Sequence, residues 1–144
     1  MLKPLFKLLD ANYNTNSKSI HTCSMQFSNT SAIRMCEALD ATDPLFLQEI
    51  AATTKDKCPH GYIKDPKELA QILSLPNILG VRTHSWSAQA LGNAPKDAIG
   101  KQGIICYMDI PGYKYTSHID LWNNNTPVGD EFWEARSIWL WTLI

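Results

Sequence analysis

The sequence predicts an α+β fold, with N-terminal helices packed on a mainly antiparallel sheet. Three observations lead there. Helix caps and helical spacing of apolar residues are confined to the first half of the chain. From about residue 101 the pattern changes to the period of strands, in GIICYMDI, KYTSHIDLW and RSIWLWTLI. The first two of these runs are joined by Pro111-Gly112, a turn that reverses the chain and so pairs them antiparallel. Helices first and strands last is the order of an α+β domain. At 144 residues the chain fits a single domain, residues 1–144, long enough to bury about 70% of its unfolded surface.

Each element has a local reason. Pro4 to Ala11 reads as a helix, with Pro in the first turn and Leu5, Leu8 and Leu9 at helical spacing. Asn12 to Lys18 is a polar loop. The polar run Ser28, Asn29, Thr30, Ser31 then opens a helix through about Leu39, with Met35, Cys36 and Leu39 inward. Asp43-Pro44 starts a short helix to about Ile50, and Thr53 to Tyr62 is a loop. In DPKELAQIL, Asp65 caps, Pro66 takes the first helical position and Glu68 completes a capping box. Leu69, Ile72 and Leu73 form its apolar face, and Pro76 ends it. Ser85 to Lys101 reads as a loop, and Glu131 to Arg136 as a helical turn before the last strand.

Composition excludes several classes. Hydrophobic residues make up 44% and charged residues 19%, too apolar a balance for a disordered chain. A net charge of −1 provides no basic face for duplex nucleic acid. No run approaches the roughly 18 apolar residues of a membrane span. MLKPLFKLLDANY lacks the charge pattern and small-residue cleavage site of a secretory signal peptide. Cys23, Cys36, Cys58 and Cys106 allow either two disulfides or buried free thiols.

Two places offer chemistry. In TSHIDLW, strand alternation puts Thr116, His118, Asp120 and Trp122 on one face. At the mouth of the second helix sits Ser31. A helix N-terminus has unpaired N–H groups and a positive potential, which lower a thiol pKa and hold an oxyanion. A strand histidine facing a helix-borne nucleophile, with a third polar group orienting the ring, is the layout of papain-like Cys/His hydrolases. Taken singly, each residue has a plainer reading: Ser31 as a helix cap and His118 as a structural strand histidine.

NTSAIRMCEAL, SHIDLW and EFWEARSIWLW together resemble the type VI secretion amidase effectors of the fourth family. GKQGIICY and, more loosely, DPKELAQIL extend the likeness, whose strong parts span about a third of the chain and occur in family order. The resemblance implies a papain-like (NlpC-type) cysteine peptidase fold and peptidoglycan amidase activity on the D-glutamate–meso-diaminopimelate bond of stem peptides. In that family the helix opens Asn-x-Cys-Ala-x-Arg-Met with the cysteine as nucleophile; here position 31 is serine. Three readings are open: an engineered Cys-to-Ser change, a natural inactive relative, and a true serine nucleophile. The last is chemically the hardest, since an alcohol ionises far less readily than a thiol. With Ser31 as written, little or no activity is expected.

The resemblance further implies His118 as general base and acid, and an acid downstream of it. Asp130 in NNNTPVGDEFW is the best positional match. Asp120, two residues along the same strand, is the alternative, ranked lower because it is badly placed for the ring's Nδ1. Cys36, inside the helix on its apolar side, is a poor nucleophile. Implied partners are the peptidoglycan stem peptide, a type VI delivery component and a cognate helical immunity protein, a dimer in this family. The protein would be made in the cytoplasm without a signal peptide and delivered to the recipient's periplasm. A disulfide is plausible in that oxidising compartment, with Cys58 and Cys106 as a candidate pair.

No cofactor or metal is expected. The spacings of His21-Thr-Cys23 and Cys58-Pro-His60 are atypical of structural zinc motifs. The sequons at Asn29 and Asn124 lack a supporting signal peptide. Of Trp133, Trp139 and Trp141, at least two are expected to pack rather than bind sugar. Two alternatives stand beside the effector reading: a phage- or host-type endolysin amidase, and a non-catalytic module binding cell wall or immunity protein.

Overall fold

A computed structural model of the chain describes residues 3–13, 30–89 and 92–144. In chain order the elements are helices α1 (Phe6–Asn12), α2 (Ser31–Thr42), α3 (Pro44–Ala51) and α4 (Pro66–Leu73), then strands β1 (His84–Trp86), β2 (Lys101–Met108), β3 (His118–Asn124), β4 (Thr126–Pro127) and β5 (Ser137–Thr142). The α+β expectation holds. Cys23, His21 and most of the predicted 12–18 loop lie outside the described residues, as do Ser28 and Asn29.

The caps predict two helices well. Asp43 accepts from the Phe46 N–H at 3.3 Å and Pro44 leads α3. Asp65 accepts from the Lys67 N–H at 3.2 Å, Pro66 leads α4, and Leu69, Ile72 and Leu73 are buried. Elsewhere tertiary contacts shift the boundaries. The Phe6 N–H donates to the Ile144 carbonyl at 2.8 Å, which ties the start of α1 to the segment that follows the last strand. This buries Phe6 and Leu9 and leaves Leu5 and Leu8 exposed. α2 starts at Ser31 with Thr30 in the cap position, so Ser31 is the first helical residue and not the cap.

The five strands form one antiparallel sheet in the order β1-β5-β2-β3-β4. β1 overlaps the start of the stretch expected to be loop. At three residues it has no readable period, and its partner β5 lies far along the chain. Between β2 and β3, the Tyr113 N–H reaches the Ile110 carbonyl at 3.3 Å, and Gly112 has φ 71°. That is a type II turn, with Pro111 fixing the first corner and glycine the second. Thr116, at φ 63°, bends the chain again, so β3 begins at His118 and Thr116 is off its face. Glu131 to Arg136 holds a hydrogen-bonded turn from Phe132 to Ala135 in place of a helical turn.

Both sheet faces are buried, against different partners. Ile104, Cys106, Met108, Ile119, Leu121 and Trp141 pack with the four helices. Ile105, Tyr107, Trp122, Ile138 and Leu140 face the other way, under Ala98, Trp133 and Ala135 from the connections. Trp122 also donates to the Ala98 carbonyl at 2.8 Å. Trp133 and Trp141 are core residues; Trp139 is half-buried, with the Arg82 guanidinium 4.3 Å above its ring.

Cys36, Cys58 and Cys106 are buried free thiols. The Cys58–Cys106 pairing is therefore corrected. Cys106 points from β2 towards the Pro66 carbonyl at 3.8 Å, whereas the Cys58 backbone N–H is tied to Tyr62 in its own loop. Cys36 accepts from the Ile63 N–H at 3.4 Å, and burial pushes its thiol up to about 12.

Two outcomes are expected. Leu39→Ala removes a fully buried side chain from α2 and should cost about 2–5 kcal/mol, seen as a lower urea midpoint at unchanged slope. Cys36 should make the fold sensitive to alkali. An unfolded thiol ionises from 9.0 while the folded one keeps its proton to about 12. Stability is thus full below pH 9 and declines as pH rises towards 12. Urea titrations of Cys36→Ala should show a shallower decline across that window. Iodoacetamide at pH 8 should leave Cys36 unmodified in the folded protein.

Candidate active site

The helical layer and the sheet meet at the outer edge of β3. β4 pairs with β3 at Trp122 and Asn123, and the Val128 N–H adds a bond to the Leu121 carbonyl, so the edge is free of strand pairing ahead of Leu121. α2 brings its first residue there, and Ser31 Oγ accepts a hydrogen bond from the Ile119 N–H at 3.3 Å. Ser31 is 1% exposed. Position 31 therefore lies at a helix N-terminus and against the residue that follows His118.

His118 and Asp120 share a face of β3, as the alternation predicts, and both are buried, at 3% and 1% exposure. Their side chains meet: His118 Nε2 lies 3.0 Å from Asp120 Oδ2. A carboxylate oxygen accepts, so the pairing puts a proton on Nε2 and leaves Nδ1 turned away from Asp120. Asp120 Oδ1 accepts in turn from the Leu121 N–H at 2.8 Å. Both carboxylate oxygens are thus engaged, which fixes the plane of the group and, through it, the ring.

Of the two acids, Asp120, ranked second from the sequence, is the one whose carboxylate meets the ring. Asp120 is poorly placed for Nδ1, but the ring offers it Nε2. Residues two apart on one strand face are separated by about 6.7 Å, a gap that an imidazole leaning towards a carboxylate closes. Asp130 lies exposed in the loop beyond β4. Its charge still reaches the region, contributing to the raised pKa values of Tyr13 and Tyr113 behind the larger effect of burial.

Aromatic rings enclose the histidine. Tyr107, its cross-strand partner, stacks on it at 6.3 Å between centroids. Phe132 meets it edge-on at 5.3 Å and Tyr113 at 6.5 Å. Tyr113 and Phe132 are themselves 4.6 Å apart and half-exposed, so they form a shelf between the ring and solvent. From the other side, the end of α1 brings Tyr13 towards Asp120. Burial first, and then the Asp120 carboxylate, push the Tyr13 phenol well above its ordinary value. Burial followed by the same carboxylate raises Tyr107.

None of Tyr13, Tyr107, Tyr113 or Phe132 stands out in the sequence as a site residue. The register of β2 against β3 identifies Tyr107, and the turn geometry identifies Tyr113. Phe132 has one linear cue, its place two residues after Asp130. Cys36 faces the core, as expected, away from this edge.

The fold is shared with solved proteins. The type VI effector Tae4 of the Tae4-Tai4 effector-immunity complex from Salmonella Typhimurium superposes with a TM-score of 0.74 at 20% identity, over 99% of this chain and 100% of that one. The corresponding complex from Enterobacter cloacae gives 0.71 at 20% identity, over 99% and 100%. The Enterobacter cloacae effector Tae4 solved alone gives 0.71 at 20% identity, over 99% and 98%. These structures have a papain-like fold. No curated protein matches the chain. The profile of Tae4, the type VI secretion system (T6SS) amidase effector protein 4, matches residues 27–141. That span takes in Ser31, His118, Asp120 and Asp130, and the chain belongs to the Tae4 family of type VI secretion amidase effectors.

Proposed function

We propose that this chain has the framework of a cysteine-type peptidoglycan amidase in which position 31 is the nucleophile site. The observation that supports this best is the bond from the Ile119 N–H to Ser31 Oγ. It holds position 31 at a helix N-terminus against the residue that follows a histidine whose Nε2 meets a buried carboxylate.

The native nucleophile is cysteine on this reading, and Ser31 replaces it. A thiolate at position 31 attacks the stem-peptide carbonyl, and His118 Nδ1 takes the thiol proton. The amide breaks, and His118 returns that proton to the departing amine. Water, deprotonated by the same nitrogen, then releases the acid and regenerates the thiol. Asp120 keeps the ring in the Nε2–H tautomer and stabilises it when charged. N–H groups at the start of α2, including that of residue 31, face the oxyanion. With serine at position 31 the first step is expected to stall, because an alcohol gives up its proton far less readily than a thiol to the same imidazole.

Family membership supports peptidoglycan as the target, and the sequence resemblance specifies the D-glutamate–meso-diaminopimelate bond. The similar effectors are solved with Tai4 immunity proteins, which supports an immunity protein as this chain's partner. Delivery by a type VI secretion machine into the recipient's periplasm completes the proposal. Among the described residues no helix is long and apolar enough to cross a membrane.

The test restores the thiol. Ser31→Cys, incubated with purified muropeptides and read by mass spectrometry, should release fragments cut at D-glutamate–diaminopimelate. Adding His118→Ala should lower the rate by about 10²–10⁴-fold. Folded Ser31→Cys that cuts no muropeptide would favour the non-catalytic binding module. The two acids separate by the same assay: Asp120→Asn should cost more than Asp130→Asn. The opposite order would return the orienting role to Asp130, as the family likeness suggests. Iodoacetamide should alkylate Ser31→Cys at pH 7 rapidly with His118 intact and slowly with His118→Ala.

A further inference from the structure

Resting on the reading of His118 as the base, we propose that Gly129 is a positioning residue whose missing side chain makes the seat for the Asp120 carboxylate. A Cβ built on Gly129 falls inside contact distance of Asp120 Oδ2, with Cγ at 3.0 Å and Oδ1 at 3.2 Å. Oδ2 is the oxygen that meets His118 Nε2. Any side chain at position 129 therefore competes with the carboxylate for the space that puts it on the ring.

Backbone conformation does not explain this glycine, since Gly129 is not among the glycines with positive φ. Burial does not explain it either, because Gly129 is exposed. What singles it out is the carboxylate against its Cα. Both sides of that contact are tethered. The loop is pinned to β3 by the bond from the Val128 N–H to the Leu121 carbonyl at 3.0 Å. Asp120 is held by the Leu121 N–H on Oδ1, and Tyr13 and Tyr107 close in around it. An exposed loop glycine of ordinary geometry normally accepts alanine at little cost. Here alanine moves a buried carboxylate, and with it the tautomer and aim of His118.

The tautomer can be read without turnover, on the protein as it stands with Ser31. Nitrogen-15 NMR of the His118 ring should show an Nε2-bound, hydrogen-bonded proton in the parent protein and its loss in Gly129→Ala. On a Ser31→Cys background, Gly129→Ala should lower kcat for muropeptide cleavage by about 10²-fold with KM little changed. The two sites should also be coupled. Adding Gly129→Ala to Asp120→Ala should change neither the thermal midpoint nor the NMR signature, because no carboxylate is left to displace. If Gly129→Ala alone fails to fold, folding of the double variant supports the proposal, and its failure to fold overturns it. A Gly129→Ala protein that keeps the Nε2–H signal overturns it too, and loss of that signal in Asp120→Ala then shows that the failure lies with Gly129 and not with the Asp120–His118 pairing. The catalytic reading fails separately, if His118→Ala leaves the alkylation of Ser31→Cys unchanged.

Discussion

The buried contact between Asp120 and His118 is the constraint around which this edge of the molecule is organised. A carboxylate removed from water costs several kcal/mol unless its lone pairs are satisfied. Here one oxygen is met by the imidazole and the other by the Leu121 N–H. That arrangement needs β3 to be straight from His118 onward, so that both side chains leave the same face. The positive φ of Thr116 supplies the break that starts the strand at His118. It also needs a neighbour without a side chain, and Gly129 is that neighbour.

The sheet explains why the site lies where it does. Its two faces are buried against unlike partners, helices on one side and connecting segments on the other. The histidine belongs to the second face and the helix mouth to the first. A side chain from one reaches the other only around an open edge, and the short β4 leaves that edge open along the start of β3. A longer β4 would cover the Ile119 N–H and exclude position 31. The aromatic residues at the edge pack around the ring, and the half-exposed pair Tyr113 and Phe132 lies between it and solvent.

The thiols and phenols follow one physical rule. Cys36, Cys106, Tyr13 and Tyr107 are all pushed upward first by burial, so they are neutral in the working pH range. Asp120 can therefore act on His118 without a second buried anion competing for it. The cysteines that remain in the core are packing groups. A helix mouth such as that at position 31 is the kind of place where unpaired N–H groups lower a thiol pKa, which is the ground of the proposed nucleophile site.

By itself the sequence determined the order of the elements, the caps of α3 and α4, the pairing of β2 with β3 through Pro111-Gly112, and the shared face of His118 and Asp120. These follow from local rules: periodicity, capping and turn chemistry act over a few residues and leave marks in the linear text. Likeness in motif placed Ser31 and His118 in one family pattern. Only the tertiary structure decided the rest. It added β1, whose three residues gain their identity from a partner far along the chain. It moved the start of α1 through a bond to the last residue. It put Asp120 and not Asp130 on the histidine, because ring orientation depends on rings and backbone brought in from four separate segments. It gave Gly129 its meaning, since nothing local distinguishes a glycine needed for its turn from one needed for the space it leaves.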